Sequence, residues 1–274
     1  MDKVMVALSG GLDSVVCLLG LIDNYAKENV MAVHVRHKGR SSARELITCQ
    51  VLCTKLGIHL DVLDGRGKLG KGGVAQQRAL FEYVLPPHTV FSGCTILAGG
   101  TDASTSRRTA KEAEAAEFEH DAFWDDINDK VERYWNIAMC TPNEGIRKME
   151  LLLPEGKGGC LWLFKKYNIS PIWDTYSCFS IAKPGLECGR CIKCLRKYMA
   201  CRMGYSRAEI LPRFACDPLT PRNIRDVRKL LAYYTVHKDV DELSRLSYLD
   251  FTDMCKVIEE EMPRLDKHVQ DVLF

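Results

Sequence analysis

The chain reads as an α/β protein: an open, mostly parallel sheet flanked by helices, with a cysteine knuckle and a helical extension on its carboxyl side. Three observations carry that expectation. Short apolar runs alternate with helix-length amphipathic stretches from the amino end onward. A glycine turn follows the first of those runs directly, and four cysteines cluster late in the chain at metal-ligand spacing. With 274 residues, 46% of them hydrophobic, the chain can bury a large core.

Residues 3–8 form the first expected strand and 13–26 its helix, followed by a second strand at Val30-Met31-Ala32-Val33-His34-Val35. An amphipathic helix over 42–56 ends at Gly57, and Ile58 to Leu63 gives a third strand. The Gly/Lys-rich stretch 65–73 reads as a flap near phosphates or as an exposed linker. Thr95 to Ala98 is the next strand, with Gly99-Gly100 at the carboxyl end, where open α/β sheets bind ligands. Apolar positions at helical spacing over 109–135 predict one long or one broken helix. Leu151-Leu152-Leu153-Pro154 suggests a further strand end, and Gly159 to Tyr167 a helix. Residues 220–274 read as helical, so the expected division is 1–204 with the knuckle at 178–194, then an extension over 205–274.

No apolar run reaches the roughly 18 to 20 residues of a membrane helix. Met1-Asp2-Lys3 leads straight into a strand, so a cytoplasmic protein without a membrane partner is expected. Thirteen cysteines, an odd count, read as reduced thiols plus a metal site and not as a disulfide framework. The formal net charge of +2 neither demands nor excludes nucleic acid.

The chemistry concentrates in Leu8-Ser9-Gly10-Gly11-Leu12-Asp13-Ser14. Two glycines let the backbone approach an anion, the Ser9 and Ser14 hydroxyls add donors, and the following helix presents its N-terminal N–H groups. A pyrophosphate fits there, which argues for an ATP-using enzyme. The turn lacks the Gly-Lys-Ser/Thr ending of a Walker loop. Later, Cys178, Cys188, Cys191 and Cys194 can converge tetrahedrally on a structural Zn²⁺ in a Lys- and Arg-rich loop with little apolar area of its own. Cys₄ ligation also serves iron–sulfur clusters, and ligand type favours zinc.

The turn resembles the pyrophosphatase loop (PP-loop) of enzymes that split ATP between its α and β phosphates. Together with the cysteine spacing, it resembles the 7-cyano-7-deazaguanine synthase family of the queuosine pathway over about residues 3 to 204. Gly39 and Glu45, Thr95 to Gly99 before Asp102, Phe123 with Asn128, Lys157 after Leu153-Pro154, and Thr175-Tyr176-Ser177-Cys178-Phe179 match further points of the family pattern. The resemblance implies ATP, Mg²⁺ and Zn²⁺ as cofactors, and a deazaguanine carboxylate and ammonia as substrates. ATP would sit on Leu8, Ser9, Gly10, Gly11, Leu12, Asp13, Ser14, Val35 and Gly99. Asp13, Arg78 and Lys157 would be catalytic, the first on Mg²⁺ and the other two balancing charge on the adenylate. Glu45 and Asp102 would bind substrate.

The chain departs from the pattern where substrate should sit. Gln77-Arg78-Ala79 lacks the family's asparagine, and Pro86-Pro87 interrupt the following helix. Ser41 stands where the family has a histidine, and Ala103 to Arg108 replace an aromatic and acidic loop. Three other readings therefore stay open: adenylation that stops at an amide or passes the acyl group to a macromolecular amine, sulfur insertion into transfer RNA, and a nucleic-acid-binding knuckle on an inactive ATPase fold. A homodimer contact through the extension is also compatible.

Overall fold

The computed structural model describes residues 2–39, 41–67, 69, 78–99, 125–140, 161–178, 181–183, 185–202, 204–219 and 260. The chain divides into two compact units. Met1–Asp102, Phe118–Leu152 and Asp174–Tyr176 make the first; Ala103–Glu117, Leu153–Trp173 and Ser177–Phe274 make the second.

In the first unit β1 (Val4–Ala7) leads to α1 (Leu12–Asn24), β2 (Val30–Arg36), α2 (Ser42–Leu56) and β3 (His59–Asp64). A π-helical segment (Ala79–Val84) then runs into α3 (Leu85–Phe91) and β4 (Ile96–Gly99). A helix over 125–135, α4, precedes β5 (Ala138–Cys140). The five strands are parallel, in the order β3-β2-β1-β4-β5. The strand order reverses beside β1, so the ligand crevice of such a sheet lies outside the carboxyl ends of β1 and β4.

The register explains the layers. Met5 stands beside Met31 and Leu97 on one face, and that face packs with Val33, Phe81, Leu85, Ile127, Val131 and Ile137 into a core under the π-helical segment, α3 and α4. His34 alternates to the opposite face, where Cys49 of α2 meets it. α1 lies over β1, β2 and β4, and its Val15, Leu18 and Leu19 are fully buried. Each such side chain contributes about 1.5–3 kcal/mol of transfer free energy.

Three differences from the sequence reading have local causes. α1 stops at Asn24, because Tyr25 turns extended at φ −112° and ψ 152°. Pro86 and Pro87 do not break the helix but open α3. Proline needs no N–H in a first turn, and the wider π winding ahead of it accommodates the ring that would crowd a regular preceding turn. Finally, the fifth strand is Ala138–Cys140, three residues long and too short to show a period of its own. The expected strand end at 151–154, the helical region 109–124, most of the 65–73 loop and all of the 220–274 extension except Glu260 lie outside the described residues.

The described part of the second unit holds α5 (Leu161–Lys166), an antiparallel pair β6 (Ile181–Lys183) and β7 (Leu186–Glu187), α6 (Ile192–Arg202) and α7 (Arg207–Ile210). Ser206 and Glu209 close a reciprocal capping box at the start of α7.

At Gly99 the position of a Cβ is already taken by the Phe81 ring, which is itself only 3% exposed. Gly99→Ala is expected to destabilise the first unit by about 1–3 kcal/mol. Urea unfolding measures it, and adding Phe81→Leu should recover part of the loss.

Candidate functional site

The loop between β1 and α1 is shaped by its own serines. Ser14 Oγ donates to the Gly11 carbonyl at 3.1 Å and accepts the Ser9 N–H at 3.2 Å. The two hydroxyl oxygens lie 3.0 Å apart, and Ser9 Oγ accepts the Gly11 N–H at 3.3 Å. Gly10 has φ +79°, and a Cβ there would lie 3.2 Å from Thr48 Cγ2 and 3.3 Å from the Glu45 carbonyl. Its own carbonyl accepts the Tyr176 N–H at 2.7 Å. The loop is thus pressed between α2 and the 174–176 segment of the same unit. Gly11 precedes α1 in an extended conformation and gives it no side-chain cap, and Asp13 lies in its first turn.

Asp13 Oδ1 is buried and has no hydrogen-bond partner. A buried carboxylate oxygen without a donor is costly, and a cation or ligand donor would satisfy it. Leu8, just before the turn, is buried and gives its N–H to the Val33 carbonyl at 2.8 Å. Its carbonyl meets His34 Nδ1 at 2.9 Å. Burial holds the His34 pKa below its ordinary value, so the neutral ring donates from Nδ1 and leaves a buried Nε2 without partner.

Glu45 lies beside this loop with a partner that sequence reasoning missed. His37 Nε2 bonds Glu45 Oε2 at 2.8 Å, and His37 Nδ1 accepts the Gly39 N–H at 2.9 Å. The same small loop closes with His37 N–H to Ser42 Oγ at 3.1 Å and Glu45 N–H to the Ser41 carbonyl at 2.9 Å. The hydrogen bond that His37 donates to Glu45 raises the pKa of His37. Burial opposes ionisation of Glu45, but its bonds to His37 and Ser41 prevail and hold it below the usual range. No periodicity marks His37, which lies eight positions ahead of Glu45 in an irregular loop.

The other expected residues are placed differently. Arg78 Nη1 reaches Glu82 at 3.1 Å and Asp126 at 3.0 Å, and Lys130 bonds the same two carboxylates. Arg78 therefore joins a four-residue ion network between the π-helical segment and α4. Asn128, on the same helix, has a buried Oδ1 without partner. Val35 sits on β2 opposite Leu63 and against Gly65, and Gly99 is filled by Phe81 as described. Asp102 and Lys157 lie outside the described residues.

In the second unit the four cysteine sulfurs of Cys178, Cys188, Cys191 and Cys194 lie within 4.8 Å of one another. Cys188 and Cys194 are 3.8 Å apart, Cys191 and Cys194 3.4 Å. Backbone N–H groups of Cys188 and Arg190 each donate to a sulfur at 3.3 Å. Gly189 turns at φ +70°, and the Cys216 carbonyl occupies the place of its Cβ. Hydrogen bonds with Cys178 and Cys191, and burial, push the Cys194 thiol far up; a cation among the sulfurs would replace those protons. The set of four thiols fits a metal ion.

A comparison with protein families matches residues 1–80 to the PP-loop domain. The amino-terminal segment carries a PP-loop. A stretch of 57 residues is 41% identical to 7-cyano-7-deazaguanine synthase of Koribacter versatilis (strain Ellin345), covering 21% of this chain and 24% of that protein. The chain thus aligns with about a quarter of its curated relative's length. Among solved structures it is similar to the U34-tRNA thiolase of Methanococcus maripaludis with its 4Fe-4S cluster, at 12% identity and TM-score 0.40, covering 97% of this chain and 73% of that one. That likeness is too low to bear on chemistry. No helix among the described residues is long and apolar enough to cross a membrane.

The turn could offer a phosphate the N–H groups at the start of α1 and, by exchange of their bonds within the turn, the Ser9 and Ser14 hydroxyls, and the unsatisfied Asp13 Oδ1 could take a cation such as Mg²⁺. Beside it, the His37–Glu45 pair has a defined pH window. His37, with its pKa raised, stabilises below its unfolded value of 6.5 and loses that contribution as pH rises through its folded value. Glu45, with its pKa lowered, stabilises above its unfolded value of 4.5 and loses that as pH falls through its folded value. The pair therefore contributes most between 4.5 and 6.5. Glu45→Gln is expected to cost more stability near the acidic half of neutrality than in mild alkali, and equal urea midpoint shifts at both would rule the pair out.

Proposed function

We propose that the chain is an ATP-dependent, AMP-forming enzyme that activates a 7-deazaguanine carboxylate and converts it with ammonia to the nitrile. The observation that carries this reading is the 41% identity over 57 residues to 7-cyano-7-deazaguanine synthase. The PP-loop, with its interlocked Ser9 and Ser14 hydroxyls, supports it. A substrate carboxylate oxygen attacks the α-phosphorus of ATP, and pyrophosphate leaves. Ammonia attacks the acyl carbon, AMP departs and an amide remains. The amide oxygen then attacks the α-phosphorus of a second ATP, pyrophosphate leaves again, and loss of AMP with the two amide protons gives the nitrile. Mg²⁺, held by Asp13, would supply charge neutralisation at the phosphates. Ser9, Ser14 and the first turn of α1 hold the departing pyrophosphate, so the protein acts by positioning and electrostatics. Glu45, kept ionised by His37, orients the acceptor by taking its N–H groups, with Asp102 as a second orienting carboxylate. Arg78 and Lys157 balance charge on the adenylate; for Arg78 this requires exchange of its ion pairs with Glu82 and Asp126.

We propose zinc as the metal of the second unit. A tetrahedral ion with Zn–S of about 2.3 Å places its sulfurs about 3.8 Å apart, and the sulfurs here, two pairs at 3.4 and 3.8 Å and all within 4.8 Å of one another, support that reading. A four-iron cluster would spread the thiolates further, since each binds a different iron. A sulfur-relay reading finds little support in Cys201, which burial pushes up to about 12 and which is fully buried.

Incubation with ATP, Mg²⁺, ammonia and 7-carboxy-7-deazaguanine should release AMP and pyrophosphate and give a nitrile by mass. An amide or a conjugate would replace the final step, and no AMP release would overturn the reading. Asp13→Asn should lower Mg²⁺-dependent pyrophosphate release by about 100-fold or more with the fold intact. Metal analysis should find one colourless zinc per chain; brown protein carrying iron and sulfide would refute that assignment.

A further inference from the structure

β1 leaves its ladder just before the glycine turn, and a buried histidine takes hold of the chain there. The ladder pairs Ala7 with Val33, and one residue further the Leu8 N–H still reaches the Val33 carbonyl at 2.8 Å. The Leu8 carbonyl meets two side chains: His34 Nδ1 lies 2.9 Å from it and Cys49 Sγ 3.4 Å. A carbonyl oxygen only accepts, so the His34 ring carries its proton on Nδ1. His34 is 2% exposed, and its strand β2 is paired on both sides, with β1 and with β3, where His34 stands opposite Val62. The donor is therefore fixed by the sheet and not by the turn.

The Leu8 carbonyl and the Ser9 N–H belong to one peptide unit. Such a unit is planar and trans, so its two polar groups point in opposite directions. Held by His34 on the oxygen side, the plane aims its N–H at Ser14 Oγ, 3.2 Å away. Ser14 Oγ in turn lies 3.0 Å from Ser9 Oγ and donates to the Gly11 carbonyl at 3.1 Å. One imidazole thus reaches both hydroxyls of the turn through a single rigid plane.

We propose that His34 is a positioning residue of the ATP site: its Nδ1–H sets the plane of the Leu8–Ser9 peptide, and with it the places of the Ser9 and Ser14 hydroxyls that receive the two outer phosphates. This rests on the reading of the turn as an ATP site. His34 acts through the backbone and not on the phosphates. Cys49, whose thiol burial keeps protonated, is a second and weaker donor to the same oxygen. The other ring nitrogen, Nε2, is buried with no partner among the described residues, a cost that an apolar side chain of similar size would not carry.

The test is equilibrium binding of α,β-methylene ATP with Mg²⁺, and separately of AMP, to the full, reduced chain, with circular dichroism of each variant. His34→Leu keeps the volume and removes the donor, and the loss of the unpartnered Nε2 offsets part of the lost bond, so the fold is expected to hold. It should weaken the triphosphate by about 3–10-fold, the worth of one hydrogen bond, and leave AMP, which lacks the outer phosphates, as in the parent. His34→Asn puts an amide N–H where Nδ1 stands and should keep the parental affinity. His34→Gln carries the same amide one carbon further and should lose as much as His34→Leu. Unchanged triphosphate binding in His34→Leu overturns the proposal. So does an equal loss for AMP, which is what a merely structural histidine would give, and so does a His34→Asn variant as weak as His34→Leu. Should His34→Leu not fold, His34→Gln takes its place with the same expectation and the same overturning results. A parent chain that binds no α,β-methylene ATP overturns the ATP reading together with this one. A parent that binds it but forms no nitrile leaves this test intact, and a parent that binds it with the wrong variant order overturns only this proposal.

Discussion

The first unit depends on how little room surrounds Gly10. α2 approaches so closely that a methyl group there would press on Thr48 and the Glu45 carbonyl, while Tyr176 ties down the Gly10 carbonyl from another direction. A loop held on two sides can keep its donors aimed before any ligand arrives, and preorganised donors are what stabilise developing charge without reorganisation. The serine hydroxyls complete this by bonding one another and the Gly11 carbonyl and by taking the Ser9 and Gly11 N–H groups, which fixes the shape of the turn.

The same closeness brings acidic groups near a loop suited to anions. Asp13 carries an unsatisfied buried oxygen, which a cation would use. Glu45 is handled differently: His37 bonds it, Ser41 supports it, and the ionised form is favoured despite burial. Two carboxylates near one loop thus have separate environments, one open to a ligand and one already oriented by a neighbour. Such separation is how neighbouring acids acquire different tasks.

In the second unit the limiting constraint is charge, not apolar area. Four thiols crowd within 4.8 Å, and the buried Glu187 carboxylate, which bonds Lys197, faces one of them at 3.9 Å. Protonated thiols so close raise one another's pKa, as Cys194 shows. A cation relieves the crowding and gives the short β6–β7 hairpin and the start of α6 a common anchor.

Much of the fold was legible along the chain. Strand-length apolar runs and helix-length amphipathic ones recur at local spacing, so β1 to β4, α1 and α2 follow from periodicity. The Gly10-Gly11 turn and the cysteine spacing are likewise local signals, because the chemistry they serve needs particular residue types close together in sequence. The sequence by itself determined the α/β class, the anion-binding turn and the tetrathiolate set. Only the tertiary structure decided that β5 is Ala138–Cys140, that Arg78 is paired with Glu82 and Asp126, that His37 serves Glu45, and that Glu187 collects Lys197 and Arg213. His37 with Glu45, Asp126 with Arg78, and Glu187 with Lys197 and Arg213 come from loops or separate elements, where no repeat links partner to partner; Arg78 and Glu82 stand four positions apart. In the Glu187 group burial also removes the alternative of bonding to water.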